Sequence, residues 1–182
     1  NVETTEGTVP ICIKISVFRE LVLGHLLNKY LPKDGPYIHR PLKTYLGTQN
    51  VDNLHQDSGI HESKISELHG NATYARCLDC NKRYELESLK IEFLKTNEPP
   101  ICSICEGIIK TATVSFGQAM PEEEMQISQK KAIESDLFIC IGTSLAVFPA
   151  ADLPLLAKET GAVLVILNNE PTQMDQYADL VI

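Results

Sequence analysis

The chain has 182 residues, 43% of them hydrophobic and 22% charged, with a formal net charge of -8 and an isoelectric point near 5.1. That length suits one main domain with a small insertion rather than two full domains, and an acidic balance with no Lys/Arg cluster excludes the basic footprint of a nucleic-acid binder. No apolar run reaches the roughly 20 residues of a membrane helix, and the opening "NVETTEGTVPICIKISVF" lacks a basic stretch followed by a long apolar one, so a cytoplasmic protein with reduced thiols and no membrane partner is expected.

Residues 1–46 read as an atypical N-terminal segment. Within it "ICIKISVF" alternates like a strand, "RELVLGHLLNKYL" has helical spacing, and Pro32, Gly35, Pro36 and Pro41 then break the chain. From Thr48 the text turns polar, with "TQNVDNLHQDSG" followed by "ELHG" and then a cysteine-bearing stretch that closes at Cys105. Residues 73–109 read as an inserted module, and residues 47–72 with 110–182 as the domain that carries it.

Beyond the insertion, "DLFICIG" from Asp136 and "AVLVILN" from Ala162 read as buried strands, with "TATVSF" as a third. A helix is expected from Pro121, a favoured first position, with Glu122, Glu123 and Glu124 complementing its dipole and Met125, Ala132 and Ile133 on its inner face. A second covers "AADLPLLAKET" and stops before Gly161, which suits the left-handed residue after a helix end. Strands alternating with helices imply an α/β fold with a parallel sheet and right-handed crossovers.

Cys77/Cys80 and Cys102/Cys105 form two C-x-x-C knuckles, about 20 residues apart, the spacing of a four-cysteine zinc site. The same thiols could form two disulfides or cage iron, but disulfides do not suit a reducing compartment, and zinc is the expectation. Four thiolates leave the ion no open position, so its role is structural and His69 is surplus to it. Cys12 and Cys140 sit in apolar runs as core residues.

Three polar motifs fall at or near strand ends, where an open parallel sheet binds ligands. Gly142, Thr143 and Ser144 offer close backbone approach and two hydroxyls for phosphate or ribose oxygens. Asn168 and Glu170 offer an amide and a carboxylate for ribose hydroxyls, and Gln49, Asn50 and Asp52 bring together two amides and an acid. Taken singly, each has a plainer reading: an ordinary turn, an Asx-turn, or in Asp52 a cap for the helix that "NLHQDSG" begins. His69 sits at the junction between the two structural units, where clefts form. A neutral imidazole there can take a proton from a hydroxyl near neutral pH; His55 is the rival, inside a helix.

In their order, "TQNVDNLHQDSG", "ELHG", the paired C-x-x-C, "VSFGQAMP", "IGTSLAVFPAA" and "ILNNEPT" resemble the sirtuins, NAD-dependent protein lysine deacylases, over about Gly47 to Ile182. The resemblance implies a Rossmann-like sheet with a small zinc module, NAD as co-substrate in the cleft between them, and an acyl-lysine protein or peptide entering from the other side. It makes His69 the general base on a ribose hydroxyl, places Asn50 and Asp52 at the nicotinamide pocket and Gln49 on the ribose. Gly142, Thr143 and Ser144 become phosphate and ribose contacts, with Asn168 on the adenosine side. Phe116 and Gly117, with Val147, become the two extended segments between which the peptide pairs as an added strand.

Asn53 stands where sirtuins commonly have Gly, and Gln118 where they commonly have Glu. The Gly-Ala-Gly-x-Ser phosphate loop and the Pro-x-Phe-Arg segment are not found; Gly7, Gly24, Gly35 and Gly47 are isolated, and the chain ends at "ADLVI". Part of the cofactor site is therefore expected to be missing or replaced. Two further readings follow: a sirtuin-like module that binds acyl-lysine peptide or a partner without productive NAD chemistry, and a protein ADP-ribosyltransferase.

Overall fold

The structure is a computed structural model, and it describes residues 44–182. The strand and helix expected within residues 11–31, with Cys12, lie outside the described residues.

Two pieces of parallel sheet form the larger part. β1 (Leu46–Thr48) pairs with β2 (Ile65–Glu67) in the register Leu46 to Ile65. Further along, β6 (Leu137–Ile141), β7 (Val163–Leu167) and β8 (Leu180–Val181) form a second piece with β7 in the middle. Leu164, Val165 and Ile166 of β7 are fully buried, as a strand covered on both faces must be, which is why this stretch reads as an unbroken apolar run.

Two helices cover these strands. α3 (Glu122–Ile133) carries its three glutamates in the first turn and Lys130 and Lys131 in the last, matching both ends of its dipole. Its inner face is Met125, Ser128 and Ala132, at helical spacing. Ile133, expected on that face, is 50% exposed; one residue beyond Ala132 lies about 100° further round the helix and leaves the core. α4 (Leu153–Glu159) follows a 3-10 turn, has Pro154 in its first turn, and is closed by Gly161 at φ +100°. Leu68, Ala132, Ala150, Leu153, Ala157 and Ala162 form the core between these elements, their small side chains letting the helices approach closely.

Between the two parallel pieces the chain builds an antiparallel sheet. β3 (Gly70–Cys77) lies between β4 (Arg83–Glu85) and β5 (Ile109–Thr113), and α2 (Leu86–Thr96) packs on it through Leu89. The stretch "TATVSF" is thus not a strand of the parallel sheet: residues 111–113 belong to β5, and Thr111 pairs antiparallel with Ala75. Its alternation of β-branched residues fits any strand, and only the partner decides which sheet it joins. The strand β8 closes the order in its place.

Candidate functional site

His69 and Gly70 lie where β2 hands over to β3. Gly70 has φ +74°, and a Cβ on it would stand 1.9 Å from the carbonyl oxygen of Ala112. Only glycine fits both the left-handed backbone and the close approach of β5. The His69 carbonyl then accepts the Val114 N–H at 2.9 Å, so the histidine is held by the parallel sheet on one side and by the module on the other.

Opposite it runs the loop after β1. Leu68 N–H donates to the Thr48 carbonyl at 2.9 Å and Ala72 N–H to the Val51 carbonyl at 2.8 Å. These two bonds bracket Gln49 and Asn50 on one strand and His69 to Asn71 on the other. Thr48 is buried, and its Oγ1 accepts the Asn50 N–H at 3.1 Å, which turns the chain at the strand end. Asp52 is exposed and its Oδ1 accepts the Leu54 N–H at 3.1 Å, an Asx-turn just ahead of α1 (Leu54–Asp57), whose N-cap position is Asn53 rather than Asp52. His55 lies within α1.

The second piece of sheet meets this loop. Gln49 Nε2 donates to Thr143 Oγ1 at 3.3 Å. Gly142, at φ +59°, donates its N–H to the Leu167 carbonyl at 2.9 Å, which sets Gly142 beside Asn168 at the carboxyl ends of β6 and β7. Thr143 Oγ1 also accepts the Leu145 N–H at 3.3 Å. Leu145 is itself left-handed, φ 52°, and buried with Cys140, Leu164 and Ile166. A bulky residue in that conformation is strained and persists only where packing holds it, so the turn carrying Thr143 and Ser144 is pinned from beneath. Burial pushes the Cys140 thiol up to about 12, as befits a core residue.

The structure therefore gathers Gln49, Asn50, His69, Gly142, Thr143 and Asn168 at one edge, beyond the strand ends. Glu170 and Ser144 are exposed there; the Asn168 amide is turned onto the Glu170 carbonyl at 2.8 Å. Phe116 is wholly exposed and Gly117 has φ +82°, in the segment that leaves β5 beside His69. Gln118 Oε1 accepts the Ser115 N–H at 3.2 Å and the Lys110 ammonium at 3.3 Å; both contacts need only an oxygen, which Gln supplies as well as Glu. Val147 is 39% exposed and its carbonyl accepts the Ala151 N–H.

The four cysteines form the second feature. Their sulfurs lie within 4.8 Å of one another, with Cys77 and Cys105 at 3.4 Å and Cys80 and Cys102 at 3.5 Å. Tetrahedral zinc with bonds of about 2.3 Å spaces its sulfurs about 3.8 Å apart, so the cage fits that ion. The two knuckles are the same turn twice. Cys77 and Cys102 each accept, on the carbonyl, the N–H of a left-handed residue four positions on, Asn81 and Glu106, and each donates its own N–H one residue further, to the carbonyls of Lys82 and Gly107. Gly107 is required because a Cβ would meet Asp79 Oδ2 at 2.2 Å and Cys77 Sγ at 2.9 Å.

Tyr84 donates its hydroxyl to Cys102 Sγ at 3.1 Å and holds that thiol down at about 6. For Cys105 the amide of Gly107 lowers the value, yet the neighbouring thiols of Cys77 and Cys80 carry it up to about 12. A set in which one thiolate resists the next is a donor set that a divalent cation completes. Tyr84 and Gly107 carry no sequence signature of their roles: each acts across a long stretch of chain.

An α/β scaffold with ligand-binding loops at the carboxyl ends of parallel strands, and a four-thiolate module inserted beside them, defines a class. A profile of the Sir2 family matches residues 39–149, and the chain belongs to the Sir2 family. It is 56% identical over 135 residues to an NAD-dependent protein deacetylase of Rhodopseudomonas palustris, covering 74% of this chain and 53% of that protein. With its counterpart from Oceanobacillus iheyensis the identity is 40% over 174 residues, 92% of this chain and 69% of that protein. A Sir2 structure bound to a propionylated peptide superposes with a TM-score of 0.68 at 36% identity, covering 75% of this chain and 56% of that one. The chain spans about half the length of curated relatives it matches.

Proposed function

We propose that the chain is an NAD-dependent protein lysine deacylase. The observation that carries the reading is the bracketing of Gln49 and Asn50 against His69 by the Thr48–Leu68 and Val51–Ala72 hydrogen bonds, with Gln49 reaching Thr143 across the sheet. Two amides, an imidazole and the Gly142–Ser144 turn around one edge, where a dinucleotide can lie, support the reading. Relatives named NAD-dependent protein deacetylases and deacylases support it.

NAD is a substrate here. The acyl oxygen of the lysine amide attacks the anomeric carbon of the nicotinamide ribose, nicotinamide departs with the bonding pair, and Asn50 and Asp52 orient it. His69 then takes the proton of a ribose hydroxyl, whose oxygen attacks the acyl carbon. Lysine leaves as the free amine, carrying the proton that His69 took, and water adds to the acyl carbon then bridging two ribose oxygens, so that the acyl group remains on ADP-ribose as an ester. Gln49 and Asn168 hold ribose hydroxyls with Glu170; Gly142, Thr143 and Ser144 meet the phosphates; the peptide lies as an added strand between Phe116–Gly117 and Val147. Zinc on Cys77, Cys80, Cys102 and Cys105 supplies a structural cross-link and no chemistry.

None of the described helices is long and apolar enough to cross a membrane. A set of free thiols in the cage suits a reducing compartment, and we place the protein in the cytoplasm. The test is to incubate zinc-loaded protein with NAD and an acetyl-lysine peptide and to look by mass spectrometry for deacetylated peptide together with acetyl-ADP-ribose. Both products are expected; intact peptide and NAD after prolonged incubation overturn the reading.

A further inference from the structure

Asn71 follows the His-Gly pair and is only 2% exposed. An amide so buried must have every hydrogen-bonding position answered or it destabilises the fold. Asn71 has them all. Its Nδ2 donates to Asn53 Oδ1 at 2.8 Å and to Glu67 Oε1 at 2.6 Å, and its Oδ1 accepts the Thr73 N–H at 2.8 Å and the Thr73 hydroxyl at 2.7 Å.

The partners belong to the two chain segments that flank the site, the turn before α1 and the β2–β3 stretch. Glu67 is the last residue of β2, two before His69, and the same Oε1 accepts the Gln56 amide of α1 at 2.5 Å. Asn53 is left-handed at φ 66°, directly after Asp52, and its own Nδ2 donates to Asp57 Oδ1 at 2.7 Å. The chain from Asn50 to Asp57 is thereby tied by three amide side chains, Asn53, Gln56 and Asn71, to the chain from Glu67 to Thr73. The only backbone bond that joins the two segments beyond Asn50 is Ala72 N–H to the Val51 carbonyl, among the described residues.

We infer that Asn71 is a positioning residue: its amide locks the turn bearing Asn50 and Asp52 against the strand end bearing His69, and so fixes the distance between the nicotinamide-holding groups and the base. Asn53, where a glycine would give the same backbone but no acceptor, is its counterpart on the turn. The inference rests on the deacylase reading for its catalytic consequence and on the hydrogen-bond network alone for its structural one.

The test is Asn71→Asp. It sets a carboxylate oxygen against two acceptors, Glu67 Oε1 and Asn53 Oδ1, while keeping volume and the bonds from Thr73. A displacement of the turn by an ångström lowers turnover by about 100-fold. The expected result is that loss in kcat with the KM for peptide unchanged. Glu67→Gln added to Asn71→Asp restores a donor opposite Asp, with the Gln56 amide turned over to accept, and recovers about tenfold or more. Asn53→Gly, which keeps the backbone and removes the acceptor together with the Asp57 bond, shifts kcat in the same direction by less, and serves if Asn71→Asp does not fold; Asp57→Ala, which removes the Asp57 bond alone, should leave kcat at the parent's value.

Amide hydrogen exchange supplies a readout independent of turnover. Residues 50–57 and 70–73 should exchange faster in Asn71→Asp and Asn53→Gly than in the parent, with β6 and β7 unchanged, and the double variant should reverse the effect. Unchanged exchange in that turn, or an Asn71→Asp enzyme with the parent's kcat, overturns the inference. A parent that exchanges as described but consumes no NAD counts against the deacylase reading and leaves the lock standing.

Discussion

The carbonyl oxygen of Ala112 lies against Gly70 so closely that a Cβ there would come within 1.9 Å of it. This contact seats the antiparallel module on the parallel domain and fixes the backbone of His69 beside it, so the module's attachment and the base's placement depend on one missing methyl group.

Gly70→Ala should therefore cost about 3 kcal/mol or more, because steric conflict with backbone adds to a left-handed φ. Gly117 also has a positive φ but open space around its Cα, so Gly117→Ala should cost only about 1 kcal/mol, the conformational part alone. Denaturant midpoints of the two variants measure the difference; equal losses would show that the Ala112 contact is not what holds the junction.

Metal analysis should find one zinc per chain, lost together with the folded module in Cys77→Ser. Tyr84→Phe removes the hydroxyl that lowers the Cys102 thiol and should weaken zinc binding about tenfold in a chelator competition, with four ligands still in place. An unchanged affinity would remove Tyr84 from the account of the cage.

Asp179 joins β8 to its neighbours. Lys158 Nζ lies 2.5 Å from Oδ1 and 2.6 Å from Oδ2, and Oδ2 accepts the Leu164 N–H at 2.8 Å. The Lys158 bond first, then the Leu164 amide, hold its carboxyl below the ordinary 3.8. With the folded value depressed, the stabilisation is present above 3.8 and is lost as pH falls through the folded value. Asp179→Asn should flatten the acid limb of stability between about pH 4 and lower, with little change in its shape above pH 5. Identical acid limbs in parent and variant would refute it.

Which parts of this were legible in the sequence follows from the range of each signal. The cysteine knuckles announce themselves because ligand spacing is local, and α3 because three glutamates after a proline write a helix start. β7 is plain because both its faces are buried. By contrast β1 and β2 are three residues each and β8 two, too short for any period to register. The lock of Asn71 on Asn53 spans 18 residues, and nothing in either neighbourhood marks it. Gln49 and Thr143 meet across 94 residues, so their partnership is visible only once the sheet is built. Ile133 misleads for the opposite reason: apolar character suggests the core, but helix phase turns it outward.

The most direct test of the account is His69→Ala, compared with the parent under saturating NAD and acetyl-lysine peptide, with zinc content and melting temperature measured on the same samples. Full zinc and a fold as stable as the parent's are expected, with acetyl-ADP-ribose reduced by about a thousandfold, the contribution of a lost general base. Acetyl-ADP-ribose formed at the parent's rate by folded, zinc-loaded His69→Ala would contradict it.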